Sequence, residues 1–188
     1  DNRRLNIPVD RTDATWGSAN NHYTAAKFYK DQEDIAFLYQ LPNSEIENNP
    51  ETLEAVKRGI PTLRRAEMLS EVSRLKYTLA VAGTHGKTTT TSMTTQIMIT
   101  AKLDPSAVIG GKLPMMGSSG RVGKSENFVC EACEFVDTFL DLSPDVAVIL
   151  NIDEDHLDYF KTLDNLIKSF HKFASMATKA VIYNGDDA

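Results

Sequence analysis

The sequence predicts an α/β fold in which a mostly parallel sheet carries helices on both faces. Apolar runs alternate with helix-like segments along the second part of the chain. Strands that are apolar throughout and separated by helices are typical of parallel sheets buried on both faces. Seven of the ten glycines lie between Gly83 and Gly123, a density typical of tight turns and phosphate-binding loops. The predicted strands are 77–82, 107–109, 128–130, 146–150 and 180–183, and the predicted helices are 88–101, 136–142 and 162–176.

The first part of the chain is more polar and predicts fewer elements. The apolar residues 35–39 predict a short buried strand. Pro50 suits the first turn of a helix, which Gly59 then ends. A strand over 60–63 and a helix over 65–76 complete this part. We therefore expect two domains, at residues 1–76 and 77–188.

Composition narrows the class of function. With 20 Lys+Arg against 26 Asp+Glu, the formal charge is −6, which argues against a nucleic-acid-binding surface. No apolar run approaches the roughly 18 residues of a membrane span, and no signal-peptide pattern opens the chain, so we expect no membrane insertion. Two cysteines are too few for a disulfide scaffold. These observations predict a reduced, cytoplasmic protein, and the start at Asp1 rather than Met suggests a piece of a longer one.

The strongest motif is a glycine turn between the predicted strand 77–82 and the helix that follows. It reads Gly83-Thr84-His85-Gly86-Lys87-Thr88. Glycines let backbone N–H groups crowd a phosphate, and the N-terminus of a helix attracts its negative charge. At such a loop Lys87 reaches the β- and γ-phosphates and the Thr88 hydroxyl binds Mg²⁺. Val81 stands where a strict Walker A loop has glycine, so an ordinary strand-to-helix turn with hydroxyl caps is the alternative.

Glu131 directly follows the predicted strand 128–130 and is a candidate ligand of the same cation. Ligands gather beyond the carboxyl ends of strands in open α/β sheets, although a strand-end carboxylate that faces water is the simpler interpretation. Cys130 and Cys133 lie three residues apart, which puts them on opposite sides of a strand, and no second cysteine pair completes a zinc site. We interpret both thiols as packing residues.

A third candidate follows the most apolar predicted strand, 146–150. Residues 151–159 carry four carboxylates and the imidazole of His156. Such a set predicts either a site for a hard cation or acidic capping of the next helix, and composition does not choose between the two. Phosphate or metal chemistry at three strand ends of one sheet supports a functional site more than any one motif does.

Together these motifs resemble those of the Mur ligase family, the ATP-dependent amino-acid ligases of peptidoglycan synthesis. The loop 83–91 resembles the family's ATP loop, including His85. Residues 131–134 are similar to its Glu-Ala-Asp-Glu segment, and residues 151–158 to its Asn-Ile-x-x-Asp-His segment. Upstream, three short segments resemble the end of the family's UDP-sugar domain and its link into the ATP domain: residues 49–51, 59–61 and 65–69.

The resemblance implies a P-loop NTPase-like central ATP-binding domain over 77–188, preceded by the remnant of a Rossmann-like UDP-sugar-binding domain and a linker over 1–76. It also implies a reaction. ATP, with Mg²⁺, activates the carboxylate of UDP-N-acetylmuramate as an acyl phosphate, and the amine of L-alanine attacks it. A carboxylate approaching a triphosphate is an anion approaching an anion, so such a site must supply cations.

By the same resemblance, Lys87, Glu131 and His156 are the catalytic residues. Lys87 would neutralise the transferring phosphoryl group, Thr88 and Glu131 would hold one Mg²⁺, and His156 would hold a second. The nucleotide-binding residues implied by the family's loop are Gly83, Thr84, His85, Gly86, Lys87, Thr88 and Thr89.

The sequence also departs from the family pattern. Residues 1–50 contain Gly17 alone and lack the glycine-rich turn that grips the UDP pyrophosphate, and Cys133 replaces an Asp. The family's C-terminal domain is not seen, and neither Lys168 nor Lys172 is assigned the role of the carbamylated lysine of sibling ligases. We therefore expect this chain to be inactive alone. Two alternatives stay open: a nucleotide-binding module without ligase activity, and a related ligase that adds a tripeptide to UDP-N-acetylmuramate.

Overall fold

The structure is a computed structural model that describes residues 27–30, 34–39, 50–59 and 62–186. The chain divides into two compact units, with the boundary between Met68 and Leu69. The functional division expected at residues 76 and 77 stays a prediction. Residues 60 and 61, part of the strand predicted over 60–63, lie outside the described residues.

The first unit contains three strands and a helix: β1 Lys27–Lys30, β2 Asp34–Tyr39, α1 Pro50–Lys57 and β3 Thr62–Arg64. The strands form a sheet in the order β1-β2-β3. Strands β1 and β2 are antiparallel, whereas β2 and β3 are parallel and are connected through α1. Gly59, two residues after α1, has φ +66°, a left-handed conformation that glycine adopts without strain. The predicted strand over 35–39 and the helix that begins at Pro50 are confirmed, and β1 was not predicted.

The second unit contains six strands: β4 Tyr77–Ala82, β5 Ser106–Leu113, β6 Ser118–Arg121, β7 Asn127–Glu131, β8 Val146–Ile149 and β9 Ala180–Tyr183. They form one sheet in the order β6-β5-β7-β4-β8-β9. Every neighbouring pair is parallel except β5 and β6, which form an antiparallel hairpin at one edge. The predicted mostly parallel sheet is therefore confirmed.

Helices cover both faces of this sheet. Successive residues of a strand point to opposite faces, and in β4 both Ala80 and the adjacent Val81 are fully buried. The remaining helices are α2 Arg65–Arg74, α3 Lys87–Thr100, α4 Leu157–Phe160 and α5 Leu163–Met176. Ala80 belongs to an apolar cluster with Phe170 and Phe173 of α5, so α5 covers its face. Helix α3 packs against β4, β5 and β7.

The segment Phe135–Asp141 corrects one prediction. The helix expected over 136–142 is a 3₁₀ helix whose residues Val136 and Asp137 have φ of 53° and 59°. Non-glycine residues rarely adopt this left-handed conformation. The side chain of Asp137 fixes it, because its carboxylate accepts hydrogen bonds from the Tyr159 hydroxyl, at 2.9 Å, and from the Ser169 hydroxyl. Tertiary contacts therefore override the local helical pattern.

Aromatic packing anchors the same segment to α5. The ring of Phe139 stacks on Phe173, with centroids 4.8 Å apart, and meets the edge of Phe170 at 5.2 Å. Cys130 lies in this core, which confirms its interpretation as a packing residue. Cys133 is exposed, so the same interpretation of its thiol is wrong. Among the described residues, no helix has the length and hydrophobicity needed to cross a bilayer.

Candidate functional site

Three neighbouring parallel strands bring the predicted motifs to one edge of the sheet. Strand β4 lies between β7 and β8, and all three run in the same direction. The carboxyl ends of parallel strands meet at one edge, which is where ligands bind in open α/β sheets. The residues that follow these strands are 83–86 after β4, 132–134 after β7 and 150–156 after β8.

Two glycines shape the loop after β4. Gly83 has φ +139°, and a Cβ there would lie 3.0 Å from the Cβ of Leu150 and 3.2 Å from the backbone N of Asn151. Gly86, with φ 83°, immediately precedes α3 in a left-handed conformation. Both positions therefore require glycine, the first for conformation and space and the second for conformation. The loop leads directly into the first turn of α3, where the backbone N–H groups lack acceptors within the helix.

Asn151 ties this loop to the segment that follows β8. The backbone N–H of His85 donates to Asn151 Oδ1 at 2.8 Å, and Asn151 Nδ2 donates back to the His85 carbonyl at 3.1 Å. The N–H of Thr84 donates to the Asn151 carbonyl at 3.1 Å, and the Thr84 hydroxyl accepts from the N–H of Asp153 at 2.9 Å. Thr84 and His85 thus connect two loops. Their proposed contacts with phosphate stay predictions, as does the role of Thr89, whose side chain is exposed.

The ammonium of Lys87 lies at the centre of the loop. Its Nζ donates to the carbonyl of Gly83 at 2.6 Å, to that of Thr84 at 3.2 Å, and to both carboxylate oxygens of Glu134 at 2.9 and 3.0 Å. The side chain of Glu134 is 1% exposed and that of Lys87 is 16% exposed. Such a buried ion pair persists only with several hydrogen bonds, which this one has. The arrangement fixes a positive charge at the N-terminus of α3.

Glu131 lies beside Thr88, as a shared cation would require. The Thr88 hydroxyl donates to Glu131 Oε2 at 3.1 Å. The backbone N–H of Gly110, in the second half of β5, donates to Oε1 of the same carboxylate. The side chain of Glu131 is therefore held between α3 and β5. A hydroxyl and a carboxylate oxygen are donors that suit Mg²⁺.

A second group of donors comprises Glu134, Asp155 and His156. One ligand atom from each lies within 4.8 Å of the others. His156 Nε2 lies 3.9 Å from Glu134 Oε1, and its Nδ1 lies 3.7 Å from Asp155 Oδ1. The imidazole also packs on the ring of Phe135, with centroids 4.8 Å apart, and its backbone has φ 51°. Two carboxylates and an imidazole suit a divalent cation.

Tyr159 and Asp137 form a polar contact next to this group, three residues after His156 and Glu134 respectively. The hydrogen bond that Tyr159 donates to the Asp137 carboxylate raises the pKa of the phenol above its usual value of 10.0. The phenol is therefore a neutral donor throughout the neutral pH range. Asp137 and Tyr159 join the segment after β7 to α4.

Lys87, Thr88, Glu131 and His156, the residues singled out from the sequence, lie at one edge of the sheet, and their catalytic and metal-binding roles stay predictions. The sequence patterns gave no role to Glu134, Asn151 or Gly110. Glu134 is the last residue of the segment 131–134 that resembles the family's Glu-Ala-Asp-Glu, and this match was the available signal. Gly110 gave no such signal, because its contact with Glu131 spans 21 residues of sequence.

Residues 81–188 match the sequence family described as the Mur ligase middle domain. The UDP-N-acetylmuramate–L-alanine ligase of Bdellovibrio bacteriovorus is 52% identical over 141 residues, which are 74% of this chain and 31% of that relative. Among solved structures, the UDP-N-acetylmuramate-alanine ligase of Thermotoga maritima matches 75% of this chain and 33% of its own, with 27% identity and a TM-score of 0.65. The UDP-N-acetylmuramate:L-alanyl-γ-D-glutamyl-meso-diaminopimelate ligase of Neisseria meningitides matches 80% of this chain and 52% of its own, with 29% identity and a TM-score of 0.65.

Proposed function

This chain belongs to the Mur ligase family, and from that premise we propose that it is the ATP-binding part of a ligase that joins L-alanine to UDP-N-acetylmuramate in peptidoglycan synthesis. The chain spans 31% of the length of the Bdellovibrio relative, so the activity belongs to the complete gene product. In this proposal residues 77–188 form the ATP-binding domain, residues 1–76 are the remnant of the UDP-sugar-binding domain with its linker, and the enzyme acts in the cytoplasm.

The observation that carries the proposal is the convergence of three strand ends. Lys87 supplies a cation, and Thr88 with Glu131 supplies one set of metal donors. Glu134, Asp155 and His156 supply a second set on the same edge. A reaction between a triphosphate and a carboxylate must overcome repulsion between anions, and cations held in place lower that barrier. An ordinary capped turn would need none of these groups.

ATP is the substrate that fits the loop. The turn of Gly83 and Gly86 leads into the N-terminus of α3, where N–H groups and the helix dipole favour phosphate. Lys87 lies at the same turn and can pair with the β- and γ-phosphates. In this proposal the triphosphate takes over hydrogen bonds that the Lys87 ammonium now gives to Gly83, Thr84 and Glu134. The phosphate-binding residues are Gly83, Thr84, His85, Gly86, Lys87, Thr88 and Thr89.

The donors present fit Mg²⁺ at two positions. Thr88 and Glu131 would hold one ion, and His156, together with Glu134 and Asp155, would hold the other. Held by these side chains, the ions would supply positive charge against the phosphates of ATP and the attacking carboxylate. The protein's own contribution is to hold these side chains in position before the substrates arrive, which avoids reorganisation during the reaction.

The proposed reaction has two steps. A carboxylate oxygen of UDP-N-acetylmuramate attacks the γ-phosphorus of ATP, and the bond to the β–γ bridging oxygen breaks. ADP departs, and the product is an acyl phosphate. The amine of L-alanine then attacks the acyl carbon, the bond to the phosphate oxygen breaks, and loss of one amine proton leaves the amide and inorganic phosphate. The Lys87 charge stabilises the phosphoryl group during the first step.

A second candidate is a ligase that adds a tripeptide to the same UDP-sugar. The observation in its favour is the structural likeness to the Neisseria ligase, whose name contains such a tripeptide. The 52% identity to an alanine ligase favours L-alanine, compared with 29% for the tripeptide ligase. A nucleotide-binding module without ligase activity is the third possibility.

Amino-acid-dependent release of ADP distinguishes these functions. The complete gene product is incubated with ATP, Mg²⁺, UDP-N-acetylmuramate and either L-alanine or L-alanyl-γ-D-glutamyl-meso-diaminopimelate. We expect ADP release with L-alanine and none without UDP-N-acetylmuramate. Turnover with the tripeptide alone would establish the second candidate, and nucleotide binding without turnover on either acceptor would contradict the ligase proposal.

A further inference from the structure

We propose that the glycine pair Gly110–Gly111 positions the cation ligands Glu131 and Thr88, so that these two glycines set the Mg²⁺ affinity of the site. Each glycine leaves the space that one ligand side chain occupies. This inference rests on the proposed function, because it concerns the cation that Thr88 and Glu131 would share. It adds two residues on a different strand, which neither touch the reacting atoms nor hold the nucleotide.

Gly110 lies against the carboxylate of Glu131 in two ways. Its backbone N–H donates a hydrogen bond to Oε1. A Cβ built at Gly110 would lie 2.6 Å from Oε2 and 3.1 Å from the carboxylate carbon, closer to Oε2 than real Cβ atoms come. Alanine at position 110 would therefore push the carboxylate away from the N–H that now orients it.

Gly111 has the corresponding relationship with Thr88. A Cβ at Gly111 would lie 3.1 Å from the Cγ2 methyl of Thr88. This is a tight contact with the side chain whose hydroxyl donates to Glu131 Oε2. The two glycines therefore lie beside the two partners of one hydrogen bond. Gly110 borders Glu131, which accepts it, and Gly111 borders Thr88, which donates it.

Backbone conformation does not explain this pair. Gly59, Gly83, Gly86 and Gly117 have positive φ, whereas Gly110 and Gly111 do not. Glycine inside a strand weakens it, and it marks places where another group approaches closely. Glycine also suits the register shift of the β5–β6 pairing in this interval. The contacts that a Cβ would make at both positions indicate that the ligand side chains need the space as well.

The topology explains how β5 reaches the site. β5 runs parallel to β7, with Val108 opposite Cys130, so the next residues of β5 pass beside Glu131. The pairing of β5 with β6 shifts register between Val108 and Leu113, and the two glycines lie in that interval. The β5–β6 hairpin therefore forms a wall along one side of the proposed cation site.

The experiment measures the Mg²⁺ dependence of ADP binding by calorimetry, using the complete gene product. Gly110→Ala is the main variant. Gly120→Ala is its control, because a Cβ there meets the Ala107 carbonyl at an ordinary 3.6 Å in the same hairpin. Changes to residues that orient metal ligands typically weaken metal binding about 10- to 100-fold, and we expect such a rise in the half-saturating Mg²⁺ concentration for Gly110→Ala. We expect no change for Gly120→Ala, and unchanged ADP binding in the presence of EDTA for both.

A double-mutant cycle tests Gly111 independently, and it applies even if Gly110→Ala does not fold. Thr88→Ser keeps the hydroxyl and removes the methyl that a Cβ at position 111 would meet. We expect Gly111→Ala to raise the Mg²⁺ requirement severalfold in the wild-type background and much less in the Thr88→Ser background. Equal effects of Gly111→Ala in both backgrounds would overturn the role of Gly111.

The outcomes separate this inference from the proposed function. If the wild-type protein binds ADP with a clear Mg²⁺ dependence and folded Gly110→Ala has the same titration, the inference about Gly110 fails and the proposed function stands. If Gly110→Ala weakens ADP binding equally with and without Mg²⁺, the inference about Gly110 fails too. If the wild-type protein binds no nucleotide, the proposed function fails and the inference fails with it.

Discussion

The Lys87 ammonium and the Glu134 carboxylate form a buried ion pair, with the Nζ atom 2.9 and 3.0 Å from the two carboxylate oxygens. Burial of both charges is costly, and such pairs add little stability compared with apolar residues of similar shape. Positioning is a better explanation than stability for this pair. Glu134 also lies 3.9 Å from the imidazole of His156, so one carboxylate connects the loop lysine to the second group of metal donors.

Glu134→Gln is expected to destabilise the protein, because it leaves the Lys87 charge buried beside a neutral amide. Breaking a buried pair typically costs about 3–5 kcal/mol, and the 16% exposure of Lys87 places the expected loss at the lower end. Urea unfolding of the variant measures it. Glu154→Gln, an exposed acid on the neighbouring loop, is the control. A stability equal to that of the control would contradict the structural importance of the pair.

Lys87→Met is expected to abolish most turnover. Removal of one charge-stabilising donor typically lowers kcat about 10²–10³-fold. The same change leaves Glu134 unpaired and lowers stability as well. The double variant Lys87→Met/Glu134→Gln separates the two effects: we expect it to regain stability and not ADP release, measured with saturating L-alanine. Lys102→Met, at an exposed lysine two residues after α3, is the control. Near wild-type turnover in either Lys87 variant would remove this residue from the mechanism.

Glu131→Gln is expected to raise the Mg²⁺ requirement of ADP release. The amide keeps the size of the side chain and loses the negative charge that attracts the cation. We expect an increase of about tenfold or more in the half-saturating Mg²⁺ concentration, in line with changes around metal sites generally. A magnesium titration of turnover checks it, with Glu126→Gln as the matched change elsewhere in the unit. If the titration is unchanged, Glu131 is a strand-end carboxylate without a metal role.

The phenol of Tyr159 is expected to ionise at a higher pH than an ordinary tyrosine, because its hydrogen bond to Asp137 raises the pKa of the phenol. A raised pKa in the folded state stabilises the fold below the unfolded value near 10.0, and this contribution is lost as pH rises through the folded pKa. The difference between the alkaline absorbance titrations of the wild type and Tyr159→Phe isolates this phenol. In an Asp137→Asn background the same difference curve is expected to move to lower pH. Identical curves in the two backgrounds would exclude Asp137 as the cause.

The sequence predicted strands at the positions of β4, β5, β7, β8 and β9 and missed β6, for a physical reason. Strands such as Val146–Ile149 are apolar throughout because both faces are buried, and this composition is visible in the sequence. Strand Ser118–Arg121 has the sequence SSGR and no apolar pattern. Its place in the sheet depends on pairing with β5, and the local sequence does not indicate that pairing.

The same distinction applies to the site. Lys87 and Thr88 could be predicted because the loop chemistry is contiguous in sequence. The pairing of Lys87 with Glu134, across 47 residues, and of Gly110 with Glu131, across 21, depends on which strands become neighbours. The left-handed backbone at Asp137 likewise depends on the hydroxyls of Tyr159 and Ser169. Non-local contacts therefore account for what sequence patterns left out.

The most direct test of the proposed site is the position of Mn²⁺, used in place of Mg²⁺, in crystals of the complete gene product with a non-hydrolysable ATP analogue. Anomalous scattering locates the metal without assumptions about its ligands. We predict one Mn²⁺ bound by Thr88 and Glu131 and a second beside His156, with the triphosphate against the N-terminus of α3 and contacted by Lys87. Mn²⁺ and triphosphate bound away from the ends of β4, β7 and β8 would contradict the proposal at its centre.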